Sequence, residues 1–66
     1  MYRFNGSCGK DGPREEKRGS KAEMKAAARE FIAAHPECFA AVVRLKRRGG
    51  HELCLGYANG KMDIDN

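Results

Sequence analysis

The sequence has no apolar run long enough to cross a membrane, because its longest runs fall far short of the ~20 residues that a spanning helix needs. Its first residues also lack the basic and then apolar pattern of a secretion signal. We therefore expect a cytoplasmic protein that does not associate with a membrane.

Cysteine is scarce, and the three cysteines present make an odd number. Small exported domains are usually held together by paired cysteines, so an odd count argues against a closed disulfide framework. It fits a reducing compartment, which agrees with the expected cytoplasmic location.

The chain is also short. Its 66 residues predict one small domain spanning residues 1–66. A domain of this size buries only roughly 60% of its unfolded surface, so a deep substrate cavity would compete with the core for side chains. We expect no enzyme activity, no small-molecule substrate and no cofactor.

No catalytic motif stands out. Cys8 has a lysine nearby, but a nucleophile also needs a base and an oxyanion site held in place, and the glycine-rich segment around it supplies neither. The same segment does not match a phosphate-binding loop. Phe4 stands where a glycine is required, and Asp11 replaces the Ser or Thr that binds magnesium.

Two His-x-x-Cys pairs, one ending at Cys38 and one at Cys54, have a spacing similar to that of zinc fingers. The predicted strand pairing places Cys54 opposite Arg44, so the two sulfurs lie about 20 Å apart at ~3.3 Å per residue. One zinc site cannot hold both, and a disulfide between them is excluded for the same reason. The alternative is two half-sites at different ends of the sheet, and the favoured expectation is that no metal binds.

The C-terminal half predicts a three-stranded antiparallel meander, with strands at about 38–47, 51–58 and 61–65. Residue types alternate along these strands as in a sheet with one buried face. The face expected to meet a helix carries the bulkier side chains, which are Phe39, Ala41, Val43, Leu45, Leu53, Leu55, Tyr57, Met62 and Ile64.

The two turns set the predicted register. The first is a loop that ends in a left-handed Gly50, and the second is Asn59-Gly60, a two-residue turn with both residues at positive φ. The resulting cross-strand pairs are Leu45–Leu53, Val43–Leu55, Tyr57–Met62 and Leu55–Ile64.

One helix, over about residues 20–35, is expected to pack on this sheet. Ser20 and Glu23 form a capping-box pattern at its start, its body is rich in alanine, and Pro36 ends it. The fold class is therefore α+β.

The N-terminal part predicts less structure. Residues 1–4 alternate aromatic and other side chains and predict a short strand whose neighbour in the sheet is undetermined. Residues 5–19 are rich in glycine and charge, have no apolar periodicity, and predict a flexible connector.

Positive charge outweighs negative charge, with a net charge of +4 and an isoelectric point near 9.2. Four cations gather at the predicted hairpin tip, where Glu52 is expected to balance Lys46. Others follow one flank of the helix. The residues expected to contact nucleic acid phosphates or an acidic partner are Arg44, Lys46, Arg47, Arg48, Lys21, Lys25 and Arg29. Because all five aromatic residues are assigned to the core, we expect no base stacking.

The run from Gly19 through Lys21 to Ala28 resembles the phosphate-binding helix start of double-stranded RNA-binding domains, in which a lysine pair begins an alanine-rich helix. The resemblance covers about a dozen residues. In that family the helix follows three strands, whereas here it precedes them. The resemblance therefore implies a phosphate-binding role for Lys21 and Lys25 and nothing more.

The other sheet face is expected to be a flat patch of small residues, available to a protein partner. Its members are Ala40, Val42, Cys54, Gly56 and Ala58. This patch suggests an alternative function, a compact inhibitor or adaptor that docks on a larger protein through its sheet face, an edge strand and the basic tip. The small size, basic charge and absence of a catalytic motif are similar to those of phage-encoded anti-CRISPR proteins.

Overall fold

The computed structural model describes residues 1–9 and 11–65 and has one helix packed on an antiparallel sheet of five strands. The strand order is β2-β1-β3-β4-β5. The elements are β1 (Tyr2–Ser7), β2 (Arg14–Gly19), α1 (Lys21–Ala34), β3 (Phe39–Leu45), β4 (His51–Ala58) and β5 (Lys61–Asp65). The predicted α+β class with a C-terminal meander is confirmed, but the sheet is larger than predicted.

The two additional strand pairings come from the N-terminal part of the chain. Strand β1 lies inside the sheet, paired with β2 on one side and with β3 on the other. Strand β2 falls within the predicted connector over 5–19, so the prediction that this segment lacks structure is wrong. The strand cannot be recognised from its sequence, because an edge strand with few buried positions needs no alternation of apolar residues. Lys10, also in that segment, lies outside the described residues.

The helix begins as predicted. The Ser20 hydroxyl oxygen accepts the backbone N–H of Glu23 at 3.2 Å, and the same hydroxyl donates to the Glu23 carboxylate at 2.8 Å. At the other end, His35 is the C-cap and donates its backbone N–H to the carbonyl of Phe31 at 2.8 Å. Pro36 follows, so the helix stops where the sequence predicts.

The helix covers the opposite sheet face from the predicted one. Val42, Ala40 and Leu55 are buried beneath it, whereas Phe39 is 49% exposed and Leu53 is 37% exposed. The buried core consists of Phe4, Met24, Ala28, Phe31, Ile32, Cys38, Ala40, Val42, Cys54 and Leu55. The face with the smaller side chains therefore meets the helix, and most of the bulkier side chains of β3 and β4 lie on the other face.

Close approach of the helix explains this choice. The rings of Phe4 and Phe31 meet edge to face with centroids 5.8 Å apart. Beside them, an added Cβ on Gly6 would lie 2.8 Å from the Phe31 ring. The helix thus packs where glycine and alanine leave room, and Phe4 supplies the bulk that the small residues lack.

A bulge in β4 shifts the register of the meander. Val42 pairs with Leu55 but the next residue, Val43, pairs with Leu53, so Cys54 is the extra residue. The bulge lets both Cys54 and Leu55 be buried. The predicted pairs Val43–Leu55 and Leu45–Leu53 are therefore wrong.

The first turn of the meander departs from the predicted geometry, and the second agrees with it. In the first, Gly49 and not Gly50 has the positive φ, at 78°. In the second, Asn59 and Gly60 have φ values of 54° and 77°, as predicted for the two-residue turn. The pair Tyr57–Met62 is confirmed, but a bulge in β5 pairs Ile64 with Gly56 and Asp65 with Leu55, so the predicted pair Leu55–Ile64 is wrong.

Among the described residues, no helix has both the length and the apolar character needed to cross a membrane.

Candidate functional site

The start of the helix and the β3–β4 turn lie at the same end of the sheet. Tyr2 pairs with Gly19 on one side and with Arg44 on the other, and the helix cap follows Gly19 directly. The chain start lies there too, because Leu45 donates its backbone N–H to the carbonyl of Met1 at 2.9 Å. Residues far apart in sequence therefore converge at this end.

The β3–β4 turn presents two arginines to solvent. Lys46 donates its N–H to the carbonyl of Gly50 at 2.9 Å and accepts the N–H of Gly49 at 3.2 Å, which closes the loop that carries Arg47 and Arg48. Both arginines are exposed. Within residues 1–9 and 11–65, neither has a carboxylate at ion-pair distance.

Glu52 balances part of this charge. Its carboxylate lies 3.4 Å from the Lys46 ammonium, which is the ion pair expected from the sequence, and its strand partner is Arg44. Both side chains of the ion pair are about half exposed, at 52% and 51%, so water and salt screen the attraction. An incoming anion can compete for Lys46.

The helix flank divides into two parts. Lys25 donates to the Asp65 carboxylate at 2.8 Å, and its side chain is only 15% exposed. This hydrogen bond, together with the positive charges of Lys25, Arg29 and Lys21, lowers the pKa of Asp65 below its ordinary value of 3.8. Lys25 thus ties the helix to β5, whereas Lys21 stays in the first helical turn. Arg29 lies two turns further along the helix.

We call the set Lys21, Arg44, Lys46, Arg47 and Arg48, together with the helix N-terminus, the basic end. Arg18 and Arg3 pair with each other on β2 and β1, one position from the pair that Tyr2 forms with Gly19. They add charge beside the basic end, and the sequence interpretation missed them because it treated β2 as a connector. Arg3 also lies 3.8 Å from Glu16, and its buried Nε has no hydrogen-bond partner among the described residues.

The sheet face turned away from the helix, which we call the open face, is the more apolar of the candidate surfaces. Directly opposed residues share a face, so Val43 with Leu53, and Ala41 with Gly56 and Ile64, form rows across it. These rows lie beside a shallow groove of about 310 Å³. Phe39 borders the groove and is exposed.

The predicted protein-partner patch is therefore mostly misplaced. Ala40, Val42 and Cys54 are only 3%, 0% and 4% exposed and lie in the core beneath the helix. Gly56 lines the groove on the open face, and Ala58 is exposed. The reason is that the helix packs on the face with the smaller residues, which leaves larger apolar side chains for the open face.

A disulfide joins Cys8 to Cys38 at the end of the sheet opposite the basic end. The expectation of no disulfide framework is thus wrong for this pair. Ser7 pairs with Phe39 in the β1–β3 ladder, so Cys8 and Cys38 occupy the next pair of opposed positions. Their Cα atoms are 4.5 Å apart, the distance of a non-hydrogen-bonded antiparallel pair. His35 lies beside them, and Cys54 is a buried free thiol elsewhere in the core.

No protein family model, characterised protein or solved structure matches this chain.

Proposed function

We propose that this chain is a non-enzymatic binding protein whose basic end engages the phosphate groups of a nucleic acid. The observation that carries the proposal is the shared position of the helix N-terminus and the β3–β4 turn, which follows from the strand partners of Tyr2. Lys21 therefore lies at the same end of the sheet as the cations of the turn, although more than twenty residues separate them in sequence.

The two parts of the basic end favour anions for different reasons. The first turn of the helix has amide groups that Ser20 does not cap, and it carries the positive end of the helix dipole. Lys21 adds a full positive charge there, and the Glu23 carboxylate of the same turn, which is hydrogen-bonded to Ser20, offsets part of it. Arg47 and Arg48 are exposed, and each guanidinium can donate two parallel hydrogen bonds to phosphate oxygens. Together they form a surface for phosphate groups spaced along a nucleic acid backbone.

Such contacts position a nucleic acid without reading its sequence. The exposed aromatic ring of Phe39 lies at the opposite end of the sheet, next to the row that ends at Cys8 and Cys38. It is therefore distant from the basic end, and we propose binding that depends on charge and shape and shows little preference among sequences.

The test is the affinity of the chain for mixed-sequence duplex DNA and RNA, measured by fluorescence anisotropy at low salt. The variant Arg47→Glu/Arg48→Glu should lose most of this affinity. Its matched control, Arg14→Glu/Lys61→Glu, makes the same change in net charge away from the basic end. Equal losses in the two variants, or no binding by the unaltered chain at low salt, would reject the proposal.

A second candidate is an inhibitor or adaptor that docks on a larger protein through the open face. It is favoured by the exposed apolar side chains of Phe39 and Leu53 around the groove, with the positive charges of Arg3 and Arg18 in the neighbouring strands. The complementary partner is an apolar segment that carries acidic residues on the β1–β2 side. In both candidates we propose a cytoplasmic setting.

The second candidate predicts that Phe39→Ser/Leu53→Ser abolishes recovery of a stoichiometric protein partner from the native host while the fold is retained. Arg47→Glu/Arg48→Glu should then have the smaller effect. If no stoichiometric protein partner is recovered with the unaltered chain, this candidate fails.

A further inference from the structure

We propose that Cys8, His35 and Cys38 form a redox-gated zinc site, closed while the two cysteines are joined and open to Zn²⁺ once a thiol reductant has separated them. The two sulfurs and a ring nitrogen of His35 all lie within 4.8 Å of one another. Two thiolates and an imidazole are ligands that zinc prefers.

The distances fit a tetrahedral ion after a small rearrangement. Zinc bonds of about 2.0 Å to nitrogen and about 2.3 Å to sulfur place neighbouring tetrahedral ligand atoms roughly 3.3–3.8 Å apart. The ring nitrogen lies no more than 4.8 Å from either sulfur, so an inward shift of at most about 1.5 Å brings it to that spacing. The sulfurs must separate after reduction, which rotation of the two cysteine side chains can achieve.

The backbone holds all three residues in place independently of the disulfide. Cys8 donates its N–H to the carbonyl of Pro13 at 3.1 Å, and Cys38 donates its N–H to the carbonyl of His35 at 3.1 Å. The His35 ring packs against Phe31, with centroids 4.8 Å apart. Because these contacts do not use the sulfur atoms, they can persist when the disulfide is reduced.

The fourth coordination position faces an open cleft. Besides Cys8, His35 and Cys38, the cleft is bordered by Glu37 and Pro13, and its volume is about 540 Å³. A water molecule, or the carboxylate of Glu37 after a side-chain rotation, can complete the tetrahedron there. A site with three protein ligands and one open position is an established arrangement for zinc.

The redox step balances with a thiol as the reductant. Two external thiols transfer two electrons to the disulfide, giving the Cys8 and Cys38 thiols and one external disulfide. Zn²⁺ then displaces one proton from each thiol and binds both thiolates and the neutral His35 ring. Attack of a thiolate on an external disulfide reverses the sequence and releases the ion.

This site differs from the His-x-x-Cys pairing considered from the sequence. That pairing joined Cys38 to Cys54, whereas Cys54 is buried, contacts the backbone carbonyl of Glu52 at 3.6 Å through its sulfur, and is not a member of the cluster. Cys8 takes its place because β1 lies beside β3.

The test uses the full chain reduced with a phosphine and then handled without oxygen. Co²⁺, a spectroscopic substitute for Zn²⁺, should bind one equivalent with a thiolate-to-cobalt charge-transfer band, and Zn²⁺ should displace it. The unreduced chain should show no such band. Binding is scored by this band and by circular dichroism, because zinc can also restore folding if the reduced chain is partly unfolded.

Three variants separate the proposed site from nonspecific thiol binding. Cys8→Ser should leave at most half of the charge-transfer band, because only one thiolate remains in the cluster, and Cys54→Ser should leave affinity unchanged. Loss of a second-shell partner already costs about 10–100-fold in metal affinity, so His35→Gln should weaken Zn²⁺ binding by at least that factor. Absence of the band in the reduced chain, unchanged affinity in His35→Gln, or loss of affinity in Cys54→Ser would overturn the proposal.

Discussion

Phe31 lies directly over Gly6, so close that a Cβ added to the glycine would come within 2.8 Å of the ring. Three atoms of the ring lie within 2.9 Å of that position. This contact sets how near the helix can approach the sheet, and it explains why the face bearing Gly6 and Ala40 is the one covered.

Gly6→Ala should therefore destabilise the chain by about 1–3 kcal/mol, since overpacking forces a side chain or the backbone to move. The free energy of unfolding is measured by urea denaturation followed by circular dichroism. Gly50→Ala is the matched control, because the atom nearest its added Cβ is the flexible Lys46 side chain at 3.4 Å. A loss in Gly6→Ala no larger than in Gly50→Ala would contradict the described packing.

Two neighbouring leucines of β4 test which face is buried. Leu55 is fully buried and Leu53 is 37% exposed. Leu55→Ala should cost about 2–5 kcal/mol through lost burial and the cavity left behind, which can unfold so small a domain. Leu53→Ala should cost less than about 1 kcal/mol. The two losses are compared by thermal unfolding. Equal losses would contradict the burial of Leu55 beneath the helix with Leu53 on the open face.

This pair also shows where sequence interpretation fails. Strand β3 has apolar residues on both faces, so alternation predicts a strand without indicating which face is buried. The size of the side chains predicts that the face with Phe39 and Val43 is the buried one. Packing against a close helix instead favours small residues, and the bulge at Cys54 that accommodates this choice has no sequence signal.

The predictable and unpredictable parts have clear physical causes. The helix cap at Ser20 and the Asn59-Gly60 turn depend on local chemistry, and the sequence predicts both. The position of β1 between β2 and β3 depends on long-range pairing, which local patterns do not encode. The pairing of Cys8 with Cys38 and the shared position of Lys21 with the β3–β4 turn both follow from that placement.

The ion pair between Lys25 and Asp65 should make stability depend on pH. The folded state lowers the pKa of Asp65, so its contribution is present above the ordinary value of 3.8 and is lost as pH falls through the lower folded value. The unaltered chain should exceed Asp65→Asn in stability near neutral pH, and the difference should shrink only as the pH falls below 3.8. Denaturation at several pH values measures this, and a difference that grows on acidification would be contrary to the described contact.

The Cys8–Cys38 disulfide closes a loop between residues separated by 30 positions. Chain entropy predicts that such a link stabilises the fold by roughly 3–4 kcal/mol in the absence of metal. The double variant Cys8→Ala/Cys38→Ala, in metal-free buffer, should lower the unfolding midpoint accordingly. Cys54→Ser leaves the disulfide intact and serves as the control. An equal loss of stability in Cys54→Ser would assign the effect to cysteine substitution in general and not to the disulfide.

The most direct test of the central claim is the salt dependence of nucleic acid binding. If about four cations of the basic end neutralise phosphates, the logarithm of the affinity for duplex DNA should fall with the logarithm of salt concentration with a slope of about −4. Arg47→Glu/Arg48→Glu should bring the slope closer to zero by roughly two units, and Arg14→Glu/Lys61→Glu should leave it unchanged. A slope near zero for the unaltered chain, or equal slopes in all three proteins, would contradict phosphate binding at the basic end.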